Sequence, residues 1–190
     1  ALREKCTQTG ALLIFDEVQV GMGRTGKMFA FEHYHVVPDI LTLGKALGGG
    51  MSIGAFISSY DIMHTLTHHP MLGHITTFGG HPVNCAAANA CINVLKQENW
   101  IAEADNKGQL LEDILSQSNQ VLEIRRIGLF LAIELGSFEK VKQVVEKCLD
   151  KGLIGFWFLS TPTAFRLSPP LSITEKEIRA AGEIVLESIQ

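Results

Sequence analysis

The 190-residue chain has no stretch of about 18 continuous apolar residues, the length a membrane-spanning helix needs. It does not open on a charged segment followed by an apolar run and a small-residue cleavage site either. These two absences make a cytosolic location the default. No Lys/Arg-rich run is present, and 16 basic against 20 acidic side chains give a net charge of −4. That balance argues against a nucleic-acid or anionic-membrane surface and for a small substrate. Cysteine is sparse: Cys6, Cys85, Cys91 and Cys148 are widely spaced, with no pair at metal-site or redox-motif spacing, and read as buried free thiols. The seven histidines, His33, His35, His68 and His69 among them, lack the companion ligands and helical spacing of a metal site, so no metal is expected. An initiator methionine is missing too, and residues 1–6 read as a helix already under way before Gly10, as in a fragment. There is no internal repeat and no low-complexity tract.

What is present is ordinary globular material, 46% hydrophobic, enough for one core or two small ones. Residues 11–15 form a short continuous apolar run that suits a buried parallel strand, with Asp16 at its carboxyl end. Open parallel sheets present ligands at that edge. A glycine-rich turn at 21–26 and a short aromatic segment lead to Pro38, a second strand at 39–43, and Lys45 on the loop that follows. A third strand is expected at 54–58, a short helix at 60–67, and a loop rich in His, Pro and Gly from 68 to 82. Pro82 suits a first helical turn and opens a helix that ends near Trp100. A second helical pattern from Ile101 to Leu115 carries a polar interruption at 105–108, which places a domain boundary between residues 1–105 and 106–190. The remainder reads as an α+β unit with strands at 121–127 and 129–135, then a helix whose Val141, Val144, Val145, Cys148 and Leu149 share a face. Strands at 153–158 and 164–167 follow, and Thr174 and Glu177 have the capping-box spacing of a last helix.

An acid ending one strand and a lysine after the next suit a pyridoxal phosphate site. That cofactor needs an amine for its Schiff base and a carboxylate to keep its pyridine nitrogen protonated. Other ligand readings fit less well. Residues 21–26 satisfy G-x-G-x-x-G, with Asp39 about 20 residues beyond as a dinucleotide site requires. However, residues 16–20 separate those glycines from the strand, and the span from Gly26 to Pro38 is too short for a crossover helix. Gly44-Lys45 is not a phosphate-binding P-loop, because Asp39 and Ala46 stand where Gly and Ser/Thr are needed.

The segments 15–26, 38–45, 77–82, 127–129 and 165–171, with Asp16, Lys45, Thr77, Gly128 and Arg166 at their centres, resemble the class III aminotransferases of the ornithine and acetylornithine group. The resemblance covers nearly the whole chain in order. It implies a fold-type I α/β protein: part of the large-domain sheet, followed by the small C-terminal α+β domain. Complete enzymes of the family are about twice as long, and their first half supplies a cofactor-phosphate loop and an aromatic residue stacked on the ring.

By the same resemblance Lys45 forms the Schiff base with pyridoxal 5'-phosphate and then shuttles a proton, and Asp16 pairs with the pyridine nitrogen. Glu17 reads as structural. Val18 matches the residue packed on the cofactor ring, although a valine there is equally at home in plain core, and Gln19 matches the residue that hydrogen-bonds the phenolic oxygen. Thr77 matches the threonine that reaches the cofactor phosphate of the neighbouring subunit, which implies a homodimer. Ile75, Thr76 and His81 depart from the usual glycine, serine and asparagine of that loop. Arg166 matches the arginine that holds the substrate α-carboxylate in a bidentate fork, with a surface or interface ion pair as the alternative. Arg125 and Arg126 have no match and read as structural. The implied reaction is ping-pong transfer of an amino group from an ornithine-like or acetylornithine-like amino acid to a 2-oxo acid. An aminomutase or decarboxylase on the same scaffold is the nearest rival, and Gln19 argues against the aminomutase, whose matching position commonly carries methionine. A noncatalytic folded or oligomerising fragment is the rival of a different class.

Overall fold

A computed structural model describes residues 1–190. The chain divides into two compact units, Ala1–Gly23 with Lys27–Asn99 and Arg24–Gly26 with Trp100–Gln190.

The first unit opens with α1 (Leu2–Thr9), a solvated helix with no buried residue, closed by Gly10 at φ +71°. Only glycine reaches that left-handed stop without steric cost. Strand β1 (Ile14–Asp16) pairs in parallel with β2 (Ile40–Leu43), which pairs antiparallel with β3 (Ala55–Ser58). Asp39 ties this corner together: its carboxylate accepts the Leu13 N–H at 2.7 Å and the Arg3 guanidinium at 2.7 Å. Asp39 is therefore committed to the join of α1, β1 and β2. The run at 11–15 is not buried as expected. Leu13 is buried, while Leu12 and Ile14, which alternate with it on the opposite face, are 52% and 55% exposed. The short helix expected at 60–67 divides into α2 (Tyr60–His64) and a 3-10 turn, Thr65–Thr67. After the loop at 68–81 comes α3 (Pro82–Gln97), with proline in its first turn. No helix of the chain is long and apolar enough to cross a membrane.

The second unit starts with α4 (Trp100–Leu115), which runs unbroken through the polar stretch at 105–108. The compact units divide at Asn99/Trp100. The helix continues through 105–108 because it is amphipathic: Ala104, Gly108, Leu111 and Leu115 are buried at helical spacing, and Asp105 and Asn106 occupy the wet face. Strands β4 (Glu123–Ile127), β5 (Phe130–Glu134), β6 (Phe156–Trp157) and β7 (Ala164–Leu167) form an antiparallel sheet in the order β4-β5-β7-β6. Helices α5 (Phe138–Asp150) and α6 (Glu175–Ile189) complete the unit, and the Thr174–Glu177 capping box is formed. Leu131, Ile133, Phe165 and Leu167 alternate inward to meet Leu111, Leu115, Val141, Val144, Ile178 and Val185 of the helices. Each such side chain contributes about 1.5–3 kcal/mol on burial. Of the four thiols only Cys148 is buried; Cys85 is exposed, and Cys6 and Cys91 are half-covered, because α1 and α3 leave much of their surface open to solvent.

Candidate active site

Parallel pairing of β1 and β2 aligns Asp16 with Thr42, so both strands deliver their carboxyl ends to one edge. The Glu17 N–H donates to the Thr42 carbonyl and extends that pairing by one step. Asp16 is exposed there, and its carboxylate accepts the Val18 N–H at 3.0 Å. Glu17 points the other way. It is 3% exposed and accepts the N–H groups of Ala30 (2.7 Å) and Phe31 (2.8 Å) at the 3-10 turn Ala30–Tyr34, which fits its structural reading.

Lys45 follows β2 and opens a second 3-10 turn, Lys45–Gly48, with its own backbone at φ +43°. A non-glycine residue in the left-handed region costs on the order of 1–2 kcal/mol, so packing around it must hold the conformation. Helix α3 supplies that packing. Cys91 Sγ donates to the Ala46 carbonyl at 3.2 Å, and the Cys91 Cβ lies 3.1 Å from where a side chain on Gly49 would begin. Asn84 Nδ2 donates to the Ser52 carbonyl at 2.7 Å, fixing the far end of the same loop. Gly44 lies close under a neighbouring side chain: a Cβ there would stand 3.2 Å from Val18 Cγ1, so that Val18 would have to give way by a few tenths of an ångström. Val18 therefore packs on the backbone next to Lys45, and Lys45 Nζ donates to Gln19 Oε1 in a short hydrogen bond. An amine, an amide, a carboxylate and an apolar side chain thus share one sheet edge. This donor set matches the needs of a pyridoxal ring, which takes an amine, an anion at its nitrogen and an apolar wall.

Thr77 is exposed within the 68–81 loop and shares no hydrogen bond with the four. Arg166 belongs to the second unit, on β7 between Ala132 of β5 and Phe156 of β6. Its guanidinium lies over the rings of Phe156 (5.7 Å to the centroid) and Phe158 (5.8 Å) and has no carboxylate or carbonyl partner in the chain. It lines a cavity of about 490 Å³ with Phe156, Ser168, Pro169 and Pro170. The other arginines of this unit's core region are engaged. Arg126 pairs with Glu112 and Asp105, both at 2.7 Å, which hold its charge more firmly than burial weakens it; Arg125 pairs with Glu123 and Glu134. Arg24 donates to the carbonyls of Leu129 (3.0 Å) and Pro169 (2.5 Å), and burial pushes its pKa below the usual arginine value. In the sequence Arg24 stands only inside a glycine motif, and no local pattern points to its hold on the Pro169 turn. The sequence reading places Phe156 and Phe158 in a strand at 153–158, and their two-residue spacing is the signal available there for a shared face; in the structure the strand ends at Trp157.

The fold and the match of the whole chain define its class: the protein belongs to the class III aminotransferases, whose family model covers residues 1–189. Its mixed α/β architecture is that of the fold-type I pyridoxal-phosphate-dependent enzymes. The ornithine aminotransferase of Toxoplasma gondii is 35% identical with a TM-score of 0.87, over 98% of this chain and 45% of that one. A further structure of that enzyme, crystallised with oxidised glutathione, has PLP at partial occupancy in its active site. A Bacillus anthracis aminotransferase is 32% identical (TM-score 0.90, 99% of this chain and 46% of that one). The Plasmodium yoelii ornithine aminotransferase is 34% identical (TM-score 0.88, 99% and 50%). The chain spans about half the length of these structures.

Proposed function

We propose that this chain provides the cofactor lysine and the substrate-carboxylate arginine of a pyridoxal-phosphate-dependent aminotransferase. It would move an amino group from an ornithine-like or acetylornithine-like amino acid to a 2-oxo acid in a ping-pong cycle, as a cytoplasmic homodimer. The observation that carries this reading is the Lys45 amine held by Gln19, beside Val18, at the edge where Asp16 ends its strand. When bound, the cofactor supplies the electron sink that makes a substrate Cα proton removable. Asp16 holds the ring nitrogen in its protonated form, Gln19 donates to the phenolic oxygen, and Val18 covers one face. Lys45 Nζ would accept the Cα proton of the substrate and hand it to the cofactor carbon rather than back to Cα, the work of a positioned general base and acid. Arg166 binds the α-carboxylate through two parallel N–H bonds. Thr77, exposed on its loop, contributes its hydroxyl to the phosphate bound by a second copy.

Asp16 and Lys45 are both exposed in the 190-residue chain, which supports a site that needs further walls. The chain by itself is expected to show little or no turnover. The test is borohydride reduction, in the presence of pyridoxal 5'-phosphate, of a subunit containing this chain together with the remainder its relatives possess. Pyridoxyl mass should be fixed on the peptide holding Lys45. Label on Lys27 or Lys96 in its place overturns the assignment.

A further inference from the structure

Arg166 has an unusual setting for an arginine. Strand pairing places it opposite Phe156 on one side and Ala132 on the other. Phe156, on β6, and Phe158, just beyond its end, bring two rings within 6 Å of one guanidinium. The rings are anchored in turn. Phe158 meets Phe130 edge-on at 5.6 Å, and Phe156 stacks on Trp157 at 4.1 Å, which meets Phe138 edge-on at 5.4 Å. A guanidinium resting on aromatic faces keeps its N–H donors at its rim free, because the rings attract the charge without accepting from those donors in the plane. An ion pair would occupy the same donors. The long side chain is also ordered in advance, so less rotamer freedom remains to be lost when an anion arrives.

We propose that Phe156 and Phe158 are positioning residues for Arg166: their ring faces fix the guanidinium so that its fork meets an α-carboxylate, and they thereby set the preference for carboxylated amine donors over amines that lack a carboxylate. This rests on the reading of Arg166 as the carboxylate site. Replacing one ring by an aliphatic side chain of similar bulk removes one cation–π contact and keeps apolar cover, so Phe158→Leu or Phe156→Leu should raise KM for an α-amino acid donor about two- to fivefold. The kcat value should stay close to that of the unaltered enzyme, KM for a primary amine without a carboxylate should not move, and Phe158→Tyr, which keeps the ring, should behave as the parent.

A second readout needs no turnover. In the 190-residue chain the Arg166 side-chain protons should show upfield ring-current shifts in the NMR spectrum, and these should shrink in each Leu variant. Absent shifts, or equal KM changes for both donor types, overturn the proposal. Arg166→Lys separates the two levels of the argument. It keeps charge and loses the fork, so it should lower kcat/KM for carboxylated donors by about 10–100-fold. If it leaves the donor preference intact, Arg166 is not the carboxylate site. If it abolishes the preference while the Phe variants retain it, only the positioning role fails.

Discussion

Glu17 has both carboxylate oxygens committed to Ala30 and Phe31, and Asp39 is committed to Leu13 and Arg3. Asp16 is the one carboxylate at this strand edge that is exposed and bound only by a neighbouring backbone N–H, so it is the one with capacity left for a ligand. Occupancy, more than residue type, separates the three roles. The Asp39 carboxyl is held below its ordinary value of 3.8, first by the Leu13 N–H and then by the Arg3 guanidinium. A depressed carboxylate contributes its stability in full above the unfolded pKa and loses it as pH falls through the folded one. Asp39→Asn keeps an oxygen for the Leu13 N–H and removes the titration. Denaturant midpoints at about pH 6 and about pH 3 should therefore fall less between the two conditions in the variant than in the parent. Parallel falls would show that Asp39 is not a source of the acid sensitivity.

Packing of α4 in the second unit depends on two glycines. A Cβ on Gly108 would sit 2.0 Å from the Gly128 carbonyl oxygen, and one on Gly128, at φ +54°, would sit 2.4 Å from the Thr25 carbonyl carbon. Both obstacles are backbone, which cannot rotate away. Gly108→Ala should destabilise the second unit by about 1–3 kcal/mol or more, although alanine is the better helix former, because overpacking outweighs propensity. Gly152→Ala, with nothing within 4 Å of the added carbon, is the control and should cost only the strain of φ +83°. A thermal melt in which both variants lose the same amount would remove the packing argument. Gly108 also shows where reading the sequence stops. Val141, Val144 and Cys148 declare their helix by spacing alone, and Thr174 with Glu177 declares the next start. The stretch at 105–108 looks like a break, because a glycine used for close approach and one used for a turn are identical on paper. The site behaves alike: Lys45, Asp16 and Gln19 lie in short segments whose residues could be named, whereas the bond from Lys45 to Gln19 and the aromatic bed of Arg166 depend on register between strands, which no local pattern encodes.

At the scale of the whole chain, the two units are covered to very different degrees. Leu131, Ile133, Phe165, Val141, Ile178 and Val185 of the second unit are all at 0% exposure, a closed core between one sheet and its helices. In the first unit Ile14, Phe56 and Ile57, on strands of a three-stranded sheet, are 55%, 42% and 51% exposed. Local opening costs less where fewer apolar groups must be wetted, so the units should differ in amide protection. Leaving even one large aliphatic or aromatic side chain uncovered forfeits about 1.5–3 kcal/mol, which corresponds to at least about a tenfold faster exchange through local opening. In the 190-residue chain, hydrogen exchange should therefore proceed at least about tenfold faster at the ladder amides of β1, β2 and β3 than at those of β5 and β7. The relatives are about twice as long and so carry further chain beyond the matched stretch. In a subunit containing that remainder, protection of β1–β3 should rise toward that of β5 and β7, while the second unit's amides change little. Equal protection of the two sheets in the short chain would mean that the exposed residues carry no part of the first unit's stability deficit.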